Sequence, residues 1–222
     1  MMIKRLLRRL PIYNIYCILK NKKYLKKRNI AIHSNGLKKI EMLSKHISTI
    51  IFVDYGTLLG VIRDKKIIEW DDDIDLGIII NDLFTWNNLE EIMYSFGFKK
   101  KHEFVYNNEI TEQNYEKDYV SVDFFRHYEA NDYSISYFYA RNKNKKYPAG
   151  NLWDVMEIKT PSINRISYIT INGAKIPIPD NAEEYLSFVY GKDWRIPNPN
   201  WHTGDGPATK RLVGEYAEAI FY

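Results

Sequence analysis

The sequence predicts an α/β (α+β) fold: a mixed β-sheet flanked by helices, with a basic helical arm before it and a small appendage after it. Three observations carry this. Apolar residues recur at helical spacing in some segments and alternate with polar ones in others, so both element types are present. The alternating runs are short and are separated by Gly, Asn and Asp turn signals. The 222 residues, 45% hydrophobic and 15% aromatic, suffice for one substantial core.

The elements follow in order. Residues 3–10 put Ile3, Leu6, Leu7 and Leu10 on one helical face and Lys4, Arg5, Arg8 and Arg9 on the other. Beyond Pro11 an apolar stripe resumes at Ile12, Ile15, Tyr16 and Leu19, followed by the basic run Lys20 to Arg28. Residues 1–30 are read as the arm and 31–222 as a single domain. The apolar stretch Pro11 to Leu19 is too short to span a bilayer, and no small-residue cleavage site follows it. A basic amphipathic helix suits a membrane surface, and equally a packed helix with a solvated face. The expectation is a cytoplasmic protein with peripheral contact, through residues 1–28, at the inner face of a membrane.

Ser34-Asn35 predicts the cap of a separate helix reaching Thr49, with Leu37, Ile40, Leu43 and Ile47 inward. Strands are expected at Ile50–Asp54, Ile74–Ile80, Phe98–Tyr106, Tyr119–Phe125 and Asp132–Ala140. Short helices are expected at Gly56–Ile62, Leu89–Phe96 and Ala182–Tyr190, the last two closed by Gly97 and Gly191. Asn107–Lys117 reads as a polar loop. Ile166–Ile178 reads as a hairpin turning at Asn172-Gly173. Trp194–Pro207, rich in Pro, Asn and Gly, reads as irregular; within it Trp201–Pro207 reads as a surface loop, the alternative being a segment that closes over an acceptor, and Lys210–Tyr222 reads as a final helix.

Charge is divided unevenly. Residues 1–40 hold twelve Lys or Arg and no acid, leaving 20 basic and 28 acidic residues in 41–222. The acidic body predicts no nucleic-acid-binding surface. The single cysteine, Cys17, excludes an internal disulfide and a Cys-based zinc cage.

The chemistry concentrates in Trp70-Asp71-Asp72-Asp73-Ile74-Asp75-Leu76. In an extended strand Asp73 and Asp75 share a face while Ile74 and Leu76 turn to the core. Carboxylates held side by side repel unless a cation lies between them. An all-oxygen set suits Mg²⁺ or Mn²⁺ rather than zinc. Asp123, alternating with Val122 and Phe124, can complete that shell or take the proton of an attacking hydroxyl. Gly56 permits close approach of a bulky anion, the helix start behind it favours phosphate, and Thr57 offers a hydroxyl. Asp54 either joins the acidic pocket or caps the following helix. His33, His46, His102 and His127 show no ligand spacing and read as ordinary surface or helix residues.

Gly-Thr, then Asp-x-Asp, then a third Asp resembles the nucleotidyltransferase superfamily. The runs Tyr55-Gly56-Thr57-Leu58-Leu59-Gly60-Val61-Ile62-Arg63 and Trp70 to Asp75, with Ile171-Asn172-Gly173, Ile178-Pro179, Glu184-Tyr185-Leu186 and Tyr190 to Pro197, resemble the LicD family more narrowly, over about residues 36–199. The resemblance implies a nucleotidyltransferase-type fold. It implies transfer of a phospho-alcohol, phosphocholine-like, from a CDP-linked donor to a sugar hydroxyl of a glycan or lipid-linked sugar, releasing CMP. Asp73, Asp75 and Asp123 would be the metal and catalytic carboxylates. Tyr55, Gly56, Thr57, Arg63, Asp71 and Asp72 would serve the donor. Lys192, Trp194 and Arg195 would grip the pyrophosphate or stack on the base, the alternative being a packed Trp with two solvated cations. The chain departs from the family in lacking a His after Arg63 and in carrying Glu69 where a Pro is usual before the Trp. Two other readings stand beside this one: a nucleoside-monophosphate transferase using an NTP, and a non-catalytic protein retaining the fold.

Overall fold

The computed structural model describes residues 11–198, 200–202 and 204–222. The amphipathic segment expected over residues 3–10 lies outside the described residues, as does Thr203. Helix α1 (Pro11–His46) runs 36 residues without a break. The cap expected at Ser34-Asn35 is absent: both residues lie exposed in mid-helix, and Ser34 Oγ donates to the Ala31 carbonyl at 3.0 Å. The reason is tertiary. Ile32, Gly36, Ile40, Leu43 and Ile47 form one buried stripe across that point, so packing carries the helix through. The arm boundary at residue 30 therefore falls inside α1. Tyr24 donates to Glu116, Arg28 Nε to the Asp72 carbonyl (2.9 Å) and Asn29 Nδ2 to the Glu69 carbonyl (2.7 Å), lacing this stretch onto the body.

After β1 (Ile50–Val53) comes a single-turn helix α2 (Tyr55–Leu59), widened at once into a π-helical turn over Gly60–Asp64. A Cβ on Gly60 would stand 2.6 Å from the Lys66 carbonyl oxygen, so only glycine fits there. Then follow β2 (Ile74–Ile79), α3 (Trp86–Ser95), β3 (Lys99–Tyr106), β4 (Glu109–Lys117), β5 (Val120–Glu129), β6 (Tyr133–Ala140) and β7 (Leu152–Pro161). The β8–β9 hairpin (Ile166–Ile171, Ala174–Pro179), α4 (Ala182–Tyr190) and β10 (Thr209–Phe221) complete the chain.

Eight strands form one sheet in the order β1-β2-β5-β4-β3-β10-β7-β6. It is mixed, since β2 and β5 run parallel while the other neighbours run antiparallel. A further pairing of β5 with β6, Tyr128 opposite Ile135 and Glu129 opposite Ser134, closes six of the strands into a ring, β5-β4-β3-β10-β7-β6. The main core lies outside the ring, where Phe52, Ile74, Leu76, Val122 and Phe124 are buried with α1, α3 and α4.

Two expectations fail in instructive ways. Asn107–Lys117 is not a loop: Asn107 and Asn108, both with positive φ, make a tight turn into β4. Its polar residues are buried because they are strand residues: Glu112 and Asn114 furnish a polar interior, and Gln113, on the opposite face, bonds Glu103 and Tyr115. Lys210–Tyr222 is not a helix. It is β10, inserted between β3 and β7, with Ala217 and Ala219 buried and Glu218 between them. Local helix propensity yields to two ladders of backbone hydrogen bonds.

Candidate active site

Ile74, Leu76, Val122 and Phe124 turn into the core, so the residues between them turn to the ring side. Asp75 stands opposite Asp123 across the parallel β2–β5 pair. Asp73, just before β2, joins them: carboxylate oxygens of Asp73, Asp75 and Asp123 all lie within 4.8 Å of one another. Burial lifts the Asp75 carboxyl well above its ordinary range, and repulsion from Asp73, Asp123 and Asp71 adds to it. Burial, then Asp73 and Glu112, push Asp123 the same way. Asp73 is raised by burial and by Asp72. Asp71 is pushed up to about 7 by burial and its acidic neighbours, and Glu112 to about 8 by burial and Asp73.

The cations of this region go elsewhere. Arg28 pairs with Asp72 (3.4 Å) and Arg63 with Asp64 (2.8 Å). Three mutually repelling carboxylates, Asp123 buried and Asp73 and Asp75 half-buried, are the donor set a hard divalent cation satisfies. Asp71 Oδ2 is buried without a hydrogen-bond partner, and a Cβ on Gly56 would come within 3.0 Å of it and 3.5 Å of Asp75 Oδ2. Glycine keeps that space open, so the residues fit Mg²⁺ or Mn²⁺. A second group, His102, Glu112 and Asp123, also brings ligand atoms within 4.8 Å of each other, with His102 Nε2 and Glu112 Oε1 3.2 Å apart.

Two cavities meet at these carboxylates. The larger, about 770 Å³, is walled by Tyr55, Gly56, Arg63, Tyr190, Trp194 and Trp201, with Asp71, Asp73 and Asp75 along one side. The smaller, about 470 Å³, lies within the strand ring and is lined by Asp73, Asp75, Asp123, His102, Glu112 and Asn114 among others. Beneath the Gly56 loop, buried Asp54 accepts from the Tyr55 N–H (2.8 Å), Tyr185 Oη (2.5 Å) and His127 Nε2 (2.7 Å).

The family model described as LicD/FKTN/FKRP, nucleotidyltransferase domain, matches residues 49–181, which hold all of the carboxylates above. The chain belongs to the LicD family. It is 25% identical over 179 residues to the ribitol-5-phosphate transferase FKTN of Homo sapiens, covering 78% of this chain and 36% of that one. It is 26% identical over 167 residues to the Mus musculus protein of the same name, covering 73% and 33%. The chain thus spans about a third of the length of the curated relatives it matches.

In this LicD-family chain the structure gathers Tyr55, Gly56, Arg63, Asp71, Asp73, Asp75 and Trp194 around the larger cavity, and Asp123 around the smaller. It does not gather the rest. Thr57 is fully buried, and its Oγ1 accepts the Asp75 N–H (2.9 Å), so the hydroxyl holds β2 instead of facing a phosphate. The start of α2 is capped by the Asp54 carboxylate, which takes the Tyr55 N–H that an anion would need. Asp72 is turned to Arg28. Lys192 is exposed, and Arg195, also exposed, pairs with Glu183 (2.6 Å) over the Trp194 ring, 4.2 Å away. Neither cation lines either of these two cavities. His127, read from sequence as an ordinary surface or helix residue, is buried against Asp54, and His102 lines the ring cavity. Glu112 also stands at the site with no sequence signal pointing to it, while Tyr190, whose sequence reading is a helix stop first and a ligand contact second, and Trp201 both wall the larger cavity.

Proposed function

We propose that this chain is a metal-dependent phosphotransferase moving a phospho-alcohol from a CDP-linked donor to a sugar hydroxyl, with CMP leaving. The observation that carries the reading is the convergence of Asp73, Asp75 and Asp123 where a cavity of about 770 Å³ meets one of about 470 Å³, within a domain of the LicD family. Tyr190 and Trp201, ring centroids 5.1 Å apart, offer faces for a nucleobase. Gly56 leaves room for the pyrophosphate, and Arg63, its guanidinium held by Asp64, lines the same wall. Mg²⁺ or Mn²⁺ held by the three aspartates supplies positive charge to the phosphate oxygens. The acceptor oxygen attacks the β-phosphorus, the bond to the CMP oxygen breaks, and the acceptor proton passes to Asp123. Asn114 Nδ2 bonds Asp123 Oδ1 (2.6 Å) and leaves Oδ2 to receive it. The relatives named ribitol-5-phosphate transferases support a phospho-alcohol as the group moved.

The test is incubation of the chain and Mn²⁺ with CDP-ribitol, CDP-choline and CDP-glycerol, and separately with NTPs. CMP release from a CDP-alcohol is expected. Pyrophosphate release from NTPs without CMP would establish the nucleoside-monophosphate transfer instead. We also infer peripheral membrane contact through the basic arm: Lys20, Lys22, Lys23, Lys26 and Lys27 are exposed along α1. Among the described residues no helix is long and apolar enough to cross a membrane.

A further inference from the structure

The strand ring has an interior that the family's shared chemistry does not explain. All six of its strands contribute side chains to the smaller cavity, and two parts of that lining are chemically distinct. One is aromatic: Phe104 and Tyr139 stack at 4.3 Å, and Trp153 meets Phe104 edge-on at 5.4 Å. The other is polar and hydrogen-bonding: His102, Glu112, Asn114 and Glu116. An in-line displacement needs the entering and leaving oxygens on opposite sides of phosphorus, so two ligand spaces must meet at the reacting atom. Asp73 and Asp75 line both cavities, as do Phe125 and Phe138.

We propose that the ring interior is the acceptor site, built for a neutral saccharide whose reacting hydroxyl is presented to Asp123. This rests on the phosphotransfer reading above. A sugar ring has an apolar C–H face and a rim of hydroxyls. The half-buried rings of Tyr139 and Trp153, backed by buried Phe104, take the first, and the carboxylate and amide groups take the second. Charge selects against an anionic acceptor. Beyond the three aspartates that would hold the cation, Glu112 and Glu116 line the wall, while Arg28 is committed to Asp72 and Lys101, the other cation, is exposed at the edge. A phosphorylated sugar or a uronic acid would meet like charge.

Saturation-transfer NMR on the full chain with Mg²⁺ tests this, with the methyl glycosides of glucose, galactose, N-acetylglucosamine and glucuronic acid as probes. Transfer to at least one neutral glycoside is expected, with none to the glucuronide. Trp153→Ala should weaken it by roughly tenfold, while Trp153→Phe and Trp201→Ala retain it. Should Trp153→Ala fail to fold, Tyr139→Leu removes the ring stacked on Phe104 and should give the same loss. No transfer to any neutral glycoside overturns the proposal. So does loss on Trp201→Ala with retention on Trp153→Ala, which would put the sugar in the larger cavity. CMP release is read separately. Its failure with every CDP-alcohol defeats the donor reading, while the glycoside result still decides the acceptor site.

Discussion

At the scale of single residues the site is a set of groups placed at electrostatic cost. Asp75 is held by burial and four acidic neighbours in a state that favours its proton. Asp75→Asn removes that repulsion and also removes a ligand. The expected outcome is opposed: CMP release falls by roughly 100-fold or more, while the metal-free protein melts higher, about 2–4 °C for each kcal/mol relieved. Activity assay and calorimetry on one preparation check both signs, and a lower melting point would contradict the account. The Asp-x-Asp pair was legible because period-two alternation with Ile74 and Leu76 fixes which way it points, and the same logic reached Asp123 through Val122 and Phe124. Thr57 was misjudged because a hydroxyl beside a glycine carries no sign of whether it serves a ligand or a neighbouring strand. Here it bonds the Asp75 N–H.

At the scale of elements, long-range partners explain what local pattern missed. Helix α4 is tied to the Gly56 loop by Tyr185, and β5 to the same loop by His127, both through Asp54. His127→Ala leaves the Asp54 carboxylate buried with one partner gone, a change that costs about 3 kcal/mol. Urea unfolding should show that loss, and a cost within the range of an ordinary surface substitution would mean the contact is incidental. The β8–β9 hairpin, α3 and α4 follow from Asn172-Gly173, Gly97 and Gly191, signals a few residues long. Strand β4 does not, because its polarity serves the ring interior and in isolation looks like solvent exposure. Strand β10 does not either, since Gly-Glu-Tyr-Ala-Glu-Ala reads as helix until β3 and β7 stand on both sides of it.

At the scale of the whole molecule, pH and divalent cations act on one balance. Asp71 and Glu112 stand at about 7 and about 8 in the fold, against about 4 in an unfolded chain. Between those limits the folded chain holds more protons than the unfolded one, so the contribution of these groups falls as pH rises. The metal-free melting point should therefore decline from pH 5.5 to pH 8.5. Cation binding displaces those protons, so the increment from Mn²⁺ should grow over the same range. Scanning fluorimetry at pH 5.5, 7 and 8.5 with and without Mn²⁺ checks it, and an increment that shrinks with pH would refute it. Beneath all of this lies the pairing of Asp75 with Asp123 on adjacent parallel strands. The gap between the backbones that carry those two carboxylates is set by the peptide ladder, at the roughly 4.8 Å that separates neighbouring strands. Side-chain replacement can alter what occupies the gap but not its width. Insertion or loss of one residue within β2 would rotate every second side chain to the far surface. The centre therefore tolerates exchange of neighbours far better than any change in chain length.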